Sequence, residues 1–268
     1  MRLAELLEGV SSAVALTGAG VSVPSGIPDF RTPERGLWAK VDPMEVAHIG
    51  VFERDPQRFW SYYRPRFQVL SDKTPNRAHE ALAELERRGL VDGVITQNID
   101  RLHRAAGSEN VIEVHGSIET SSCMDCGTTF GLGEVDDLFD EHGVAICSAC
   151  GGPVKPDVVL FGELLSEETM ARASGLAEGA DLMLCVGSSL AVHPVAGLPQ
   201  LTLSRGGSLA IVTKGETPYD SDAELKLSGE VDAELEALLG ALGRAPSAAE
   251  NRRPASCSRR RWSGPGGR

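Results

Sequence analysis

The segment Val14-Ala15-Leu16-Thr17-Gly18-Ala19-Gly20-Val21-Ser22-Val23-Pro24-Ser25-Gly26-Ile27-Pro28-Asp29-Phe30-Arg31 opens as a short apolar run and breaks into a Gly-x-Gly turn. A strand feeding such a turn lets backbone N–H groups approach a phosphate, with the next helix N-terminus facing the negative charge. The rest of the fingerprint of hydride-transferring enzymes is missing. Its third glycine would fall at Val23, and its ribose-binding acid, about twenty positions on, would fall in residues 35–41, which hold no Asp or Glu. Taken alone, Gly18-Ala19-Gly20 is equally a plain strand-to-helix connection. The continuation Pro28-Asp29-Phe30-Arg31 is what sets the segment apart.

Working outward, apolar runs at 14–16, 94–96, 111–114, 182–186 and 209–212 read as strands of a mostly parallel sheet. Helical patterns fill the gaps. One opens at Pro75-Asn76, carries Ala81, Leu82 and Leu85 on one face and stops at Gly89; others cover 167–177 and 233–242. Leu3, Leu6 and Leu7, interrupted by Glu5 and Glu8, read as an amphipathic helix and not as a secretory signal. This alternation predicts an α/β fold, a doubly wound Rossmann-like parallel sheet whose ligands sit beyond the C-terminal strand ends; the stretch of paired cysteines that interrupts it reads as a small inserted zinc-binding domain. The expected boundaries are a discontinuous Rossmann-like domain at 1–117 and 157–243, the insert at 118–156, and from 244 to 268 a disordered basic tail of Pro, Ser, Gly and Arg.

The chain has 268 residues, 41% hydrophobic and 24% charged, and no apolar run of membrane-spanning length. Its formal net charge is -12, which argues against general nucleic-acid affinity. From Arg244 onward seven arginines face one glutamate, a net of +6, so the preceding body carries -18. Of the six cysteines, four fall in two tight pairs better suited to metal than to oxidation, and a cytoplasmic, reducing location is expected.

Cys123-x-x-Cys126 precedes Cys147-x-x-Cys150 by twenty residues. Two such knuckles complete a four-thiolate tetrahedron with no open position, the pattern of a structural zinc. Cys185, within an apolar strand, reads as a core residue. Thr96-Gln97-Asn98-Ile99-Asp100 follows a strand directly, where an α/β sheet meets its ligand; Asp100 also suits a helix cap. His115 ends the next strand, and imidazole is the side chain best fitted to proton transfer near neutral pH.

Together these segments resemble the sirtuin family of NAD-dependent protein-lysine deacylases. The matching pieces are Gly18-Ala19-Gly20-Val21-Ser22 with Ser25-Gly26-Ile27-Pro28-Asp29-Phe30-Arg31, and Thr96 to Asp100 with Leu102-His103 and Ala106-Gly107. His115-Gly116, the four cysteines, Pro156 with Val158-Val159 and Phe161-Gly162-Glu163, and Gly187-Ser188-Ser189-Leu190 follow in family order. The resemblance implies that NAD is consumed. Its pyrophosphate would lie near Gly18, Ala19, Gly20, Ser22, Gly187, Ser188 and Ser189. Asp29, Phe30, Arg31, Gln97, Asn98, Ile99 and Asp100 would bind the rest of its nicotinamide half. The acyl-lysine carbonyl oxygen would attack the ribose carbon as nicotinamide departs, with His115 as general base and Asn98 orienting ribose and water. The acylated lysine of a protein substrate would lie as a strand against Val159, Phe161, Gly162, Glu163 and Val192, without membrane or specific nucleic-acid partners.

Two features depart from, or add to, that pattern. Thr213 stands where the family commonly has an Asn contacting the adenosine ribose, and a hydroxyl cannot offer the full donor and acceptor set of an amide. Tyr63 and Arg66, three apart, match sirtuins that remove succinyl or malonyl groups, although Pro65 between them opposes an unbroken helix. Three alternatives stand beside the deacylase. One is a mono-ADP-ribosyl transferase, one a nicotinamide oxidoreductase, and one a non-enzymatic zinc-knuckle binding module.

Overall fold

Alternating strand faces explain the main sheet. In a computed structural model that describes residues 2–29 and 42–243, the strands are β1 (Ala13–Thr17), β2 (Val94–Thr96), β3 (Val111–Glu113), β4 (Gly116–Cys123), β5 (Thr129–Gly131), β6 (Val154–Val158), β7 (Leu182–Val186), β8 (Ser208–Val212) and β9 (Leu225–Leu227). Phe30, Arg31 and the tail from 244 lie outside the described residues. Six strands form one sheet in the order β3-β2-β1-β7-β8-β9, every pair parallel. Counted by its own strands this is 3-2-1-4-5-6, the order of dinucleotide-binding folds, with the reversal of winding between β1 and β7.

Both faces of this sheet are buried, so its central strands are continuously apolar and odd and even residues feed different cores. Ala13, Ala15, Leu182, Leu184, Ala210 and Val212 pack on one side with α1 (Arg2–Glu8), α5 (Arg77–Arg87) and α10 (Val231–Ala241). Val14, Leu16, Met183, Cys185, Leu209 and Ile211 pack on the other with α8 (Glu167–Gly179) and α9 (Leu198–Ser204). Asn76 caps α5 as its sequence position predicts, accepting from the Ala78 N–H at 2.8 Å.

Between β3 and β7 the chain leaves this sheet for an antiparallel one of order β5-β4-β6. Its core takes Phe52 from α3 (Ile49–Arg54) and Phe59, Trp60 and Phe67 from α4 (Pro56–Ser71) against Ile118, Phe130, Val154 and Val158. Helix α4 runs through Pro65 without ending. Proline removes one helical hydrogen bond, but three large rings buried on the same helix, each contributing about 2–3 kcal/mol by apolar burial, outweigh that loss. The short helices α2 (Pro43–Val46), α6 (Leu102–Ala105) and α7 (Leu132–Val135) complete the connections. No helix among the described residues is long and apolar enough to cross a membrane.

Candidate active site

Strands β1, β2 and β7 end side by side, and each runs into a polar loop. After β1, residues Ala19–Ser25 wind as a 3-10 helix, which ends at Gly26 in a left-handed conformation. After β7, Gly187 has φ +61°, and a Cβ there would lie 2.3 Å from the Val21 backbone N. Only glycine permits this approach of the two turns. The Gly20 N–H donates to the Gly187 carbonyl at 2.8 Å, fixing the turns together at the switch point of the sheet.

Polar side chains from the β2 loop close on the same place. The Ser22 hydroxyl donates to Asp100 Oδ2 at 2.6 Å and accepts from Asn98 Nδ2 at 3.1 Å; that amide also donates to the Gly18 carbonyl at 3.2 Å. Asp100 Oδ1 accepts from the Leu102 N–H at 3.0 Å at the start of α6, whose N-cap position is Arg101 and not Asp100. Gln97 Nε2 donates to Ser188 Oγ at 2.8 Å, joining the loops after β2 and β7. Ser22, Asn98, Asp100 and Ser188 are buried; Ala19, Gly20, Asp29, Gln97, Ile99 and Thr213 are half-buried, and Ser189 is exposed. Arg101 (φ +68°) and Leu190 (φ +50°) hold left-handed backbone in these two loops, strain of the sort concentrated at functional sites.

Behind this cluster lies a second polar layer that the sequence reading leaves unassigned. His79 Nδ1 accepts from the Asn76 N–H at 3.3 Å, so its Nε2 carries the proton and donates to Ser22 Oγ at 3.4 Å. His103 meets Thr17 Oγ1 at 2.9 Å, and its Nδ1 is buried without a partner. The two rings stack edge to face at 4.8 Å. Burial drives both below the usual histidine range, His79 to about 4 against the pull of Asp100, and His103 to about 3 with further repulsion from His79.

His115 lies half-buried at the end of β3, and its Nδ1 is 3.0 Å from the Gln97 carbonyl oxygen. Burial pushes its pKa down, partly offset by that bond. The His115 carbonyl accepts from the Val159 N–H at 2.9 Å, tying it to the strand that leads into Phe161. Phe161 is 44% exposed and pairs in parallel with His48, with Phe161 N–H donating to the Ala47 carbonyl and Ile49 N–H to the Phe161 carbonyl, both at 2.9 Å. Gly162 is exposed, while Val159, Glu163 and Val192 are half-buried. Tyr63 and Arg66 share α4 but turn to different rings. Tyr63 stacks on Phe59 at 4.5 Å, whereas the Arg66 guanidinium lies 3.3 Å above the Tyr62 ring and donates to the Tyr62 carbonyl.

The four knuckle cysteines converge. Their sulfurs lie within 4.8 Å of one another, with Cys123 to Cys150 at 3.4 Å and Cys126 to Cys147 at 3.7 Å. A zinc bound by four thiolates at about 2.3 Å sets sulfurs about 3.8 Å apart, so the donor set fits that ion. Cys123 and Cys147 face the core of the small lobe, and Cys126 and Cys150 are exposed.

A Rossmann-type α/β enzyme fold, with a polar site at its strand switch point and a four-cysteine lobe set into the chain, is the class these elements define. The chain belongs to the Sir2 family, whose family model matches residues 18–194. It is 46% identical over 231 residues to an NAD-dependent protein deacetylase of Sulfurisphaera tokodaii, covering 86% of this chain and 91% of that protein. It is 44% identical over 230 residues to NAD-dependent protein deacylase 2 of Archaeoglobus fulgidus, covering 85% and 90%. Among solved structures, a Sir2 chain with a deacetylated p53 peptide and 3'-O-acetyl ADP ribose superposes with a TM-score of 0.86 at 40% identity, covering 90% of this chain and 97% of that one.

Proposed function

We propose that the chain is an NAD-dependent protein-lysine deacetylase that consumes NAD and yields nicotinamide, O-acyl-ADP-ribose and free lysine. The observation that carries this reading is the contact between His115 and Gln97. A carbonyl oxygen only accepts, so Nδ1 holds the imidazole proton and Nε2 keeps its lone pair. With its pKa lowered by burial, that nitrogen is a free base at neutral pH, next to the loop that supplies Asn98 and Asp100.

NAD supplies an ADP-ribosyl electrophile with nicotinamide as its leaving group. The 18–22 turn with Gly187, Ser188 and Ser189 binds pyrophosphate. Asp29, Phe30, Arg31, Gln97, Asn98, Ile99 and Asp100 hold the nicotinamide half, and Thr213, at the end of β8, meets the adenosine ribose. Asn98 orients the ribose and water, and His115 Nε2 takes a proton from a ribose hydroxyl. The acylated peptide lies as a strand between Phe161-Gly162-Glu163 and Val192, beside Val159, where main-chain pairing tolerates varied sequences. Cys123, Cys126, Cys147 and Cys150 hold one structural zinc. In this reading residues 1–117 and 157–243 form the NAD-binding domain and 118–156 the zinc-binding domain, in a cytoplasmic protein. Support comes from relatives named as deacetylases or deacylases that match along most of their length.

Removal of succinyl or malonyl groups is the finer part of the proposal. Arg66 lies one helical turn from Tyr63 on α4, and a guanidinium with a phenol suits a carboxylate. The overall test is incubation with NAD and an acetyl-lysine peptide. Nicotinamide released one for one with deacetylated peptide supports the reading, and ADP-ribose attached to protein without loss of acetyl would replace it with mono-ADP-ribosyl transfer.

A further inference from the structure

Lys155 is a buried cation in the strand that leads to the peptide-binding turn, and all three of its donors are used. Its Nζ donates to the Val158 carbonyl at 2.8 Å, to the Pro156 carbonyl at 3.1 Å and to Glu163 Oε2 at 3.1 Å. The residue is 8% exposed, an unusual place for lysine unless it is paired and fully hydrogen-bonded. The same Glu163 oxygen accepts from the Leu160 N–H at 2.7 Å, and the Glu163 N–H donates to the Leu160 carbonyl at 3.0 Å. Residues 160–163 thus form a turn closed twice, once by backbone and once by side chain, with Gly162 at φ +87° supplying its left-handed corner. A Cβ at Gly162 would also come 2.7 Å from His48 Nε2.

These contacts turn the Glu163 carboxylate toward its own turn; with the Phe161 N–H and carbonyl already taken by Ala47 and Ile49, the exposed Gly162 presents the outward backbone. From this geometry we infer that Lys155 is a positioning residue for peptide binding: acting through Glu163, it fixes the backbone of 160–163 against which the acylated peptide pairs. The inference rests on the deacetylase reading above. Main-chain recognition demands a rigid template, because an edge that can shift register offers its donors and acceptors to no fixed partner. Lys155 supplies that rigidity from inside the protein and contributes no contact to NAD.

The test is steady-state kinetics of the full chain with NAD and an acetyl-lysine peptide, each varied at saturating levels of the other, for wild type, Lys155→Met, Glu163→Gln and the double variant. Lys155→Met removes a charge-assisted contact of a kind whose loss shifts binding about tenfold or more, so the KM for peptide should rise by that factor. For Lys155→Met the KM for NAD and kcat should stay within about twofold, since Lys155 is buried and touches neither NAD nor the reacting atoms. The double variant should be no worse than Lys155→Met alone, because both residues act through one contact. Glu163→Gln keeps the side chain in place and weakens only the ion pair, so it reads the same effect if Lys155→Met fails to fold. A peptide KM within about twofold of wild type in whichever variants fold, or equal rises in both KM values, overturns the inference. Wild-type protein that releases no acetyl group overturns the deacetylase reading, and the inference falls with it.

Discussion

The Gln97 carbonyl accepts a hydrogen bond from His115 Nδ1 at 3.0 Å, which fixes the imidazole tautomer with Nε2 unprotonated. Because burial lowers the His115 pKa, the base is protonated only below the ordinary histidine value of about 6.5. The acid limb of kcat/KM should therefore turn down below pH 6.5, and a midpoint at or above that value would contradict the assignment. His115→Ala should cut turnover by about 10²–10⁴-fold, the usual contribution of a positioned base, while the fold persists by circular dichroism.

Ser22 sits at the centre of the polar cluster, donating to Asp100 and accepting from Asn98 and His79. Asp100→Ala would strand two donors, the Ser22 hydroxyl and the Leu102 N–H, at a cost of about 1–3 kcal/mol each. We expect a lower melting temperature and a raised KM for NAD, with the KM for peptide little changed. A variant that binds NAD normally by calorimetry would remove this cluster from the cofactor site.

How legible these features are in the sequence depends on how locally they are specified. Strands such as 182–186 and 209–212 stand out because a parallel strand buried on both faces is an apolar run. Strand β9 does not, since Leu225-Lys226-Leu227 is three half-exposed residues with a charge at the centre. Pro65 argues for a break that the packing of Phe59, Trp60 and Phe67 overrides. Glycine turns and paired cysteines are motifs because backbone geometry and metal coordination demand fixed residues at fixed spacing. The second polar layer has no such signature. Helical periodicity marks His79 only as an inward position, the family resemblance includes His103 without giving it a role, and Lys155 is a polar interruption beside a proline. Their roles arise from tertiary closure onto Ser22, Thr17 and Glu163.

His79 and His103 also set an acid limit on stability. Each has a folded pKa depressed below the unfolded value of about 6.5, so the unfolded chain takes up protons first as the pH falls. Neither group costs stability above pH 6.5. Between that point and their folded values of about 4 and about 3, stability should fall steadily. Urea unfolding between pH 7 and about 5, where most carboxylates stay ionised, isolates the imidazoles. His103→Gln should flatten the decline, and an unchanged slope would mean that another group is responsible.

The acyl-scope reading has its own test because Arg66 belongs to α4 and not to the strand-end loops. A succinyl group ends in a carboxylate that a guanidinium can bind, whereas an acetyl group ends in a methyl. Arg66→Ala should then lower kcat/KM for a succinyl-lysine peptide by about tenfold or more while changing that for the acetyl peptide far less. Equal losses would mean that Arg66 only packs on Tyr62.

Chelation tests the small lobe. Four thiolates leave no open position on a tetrahedral ion, so zinc would act here on folding and not on the reaction. Cys147 is buried in the same cluster as Phe130, Val144 and Trp60, so loss of the ion should loosen the support under α4. Metal removal, or Cys147→Ser, should lower the melting temperature and abolish turnover together. Zinc content should be one ion per chain before treatment. Readdition of cobalt or cadmium, which accept the same tetrahedral thiolate set, should restore stability and turnover in parallel. Restored folding with turnover that depends strongly on which ion is present would instead place the metal in the chemistry.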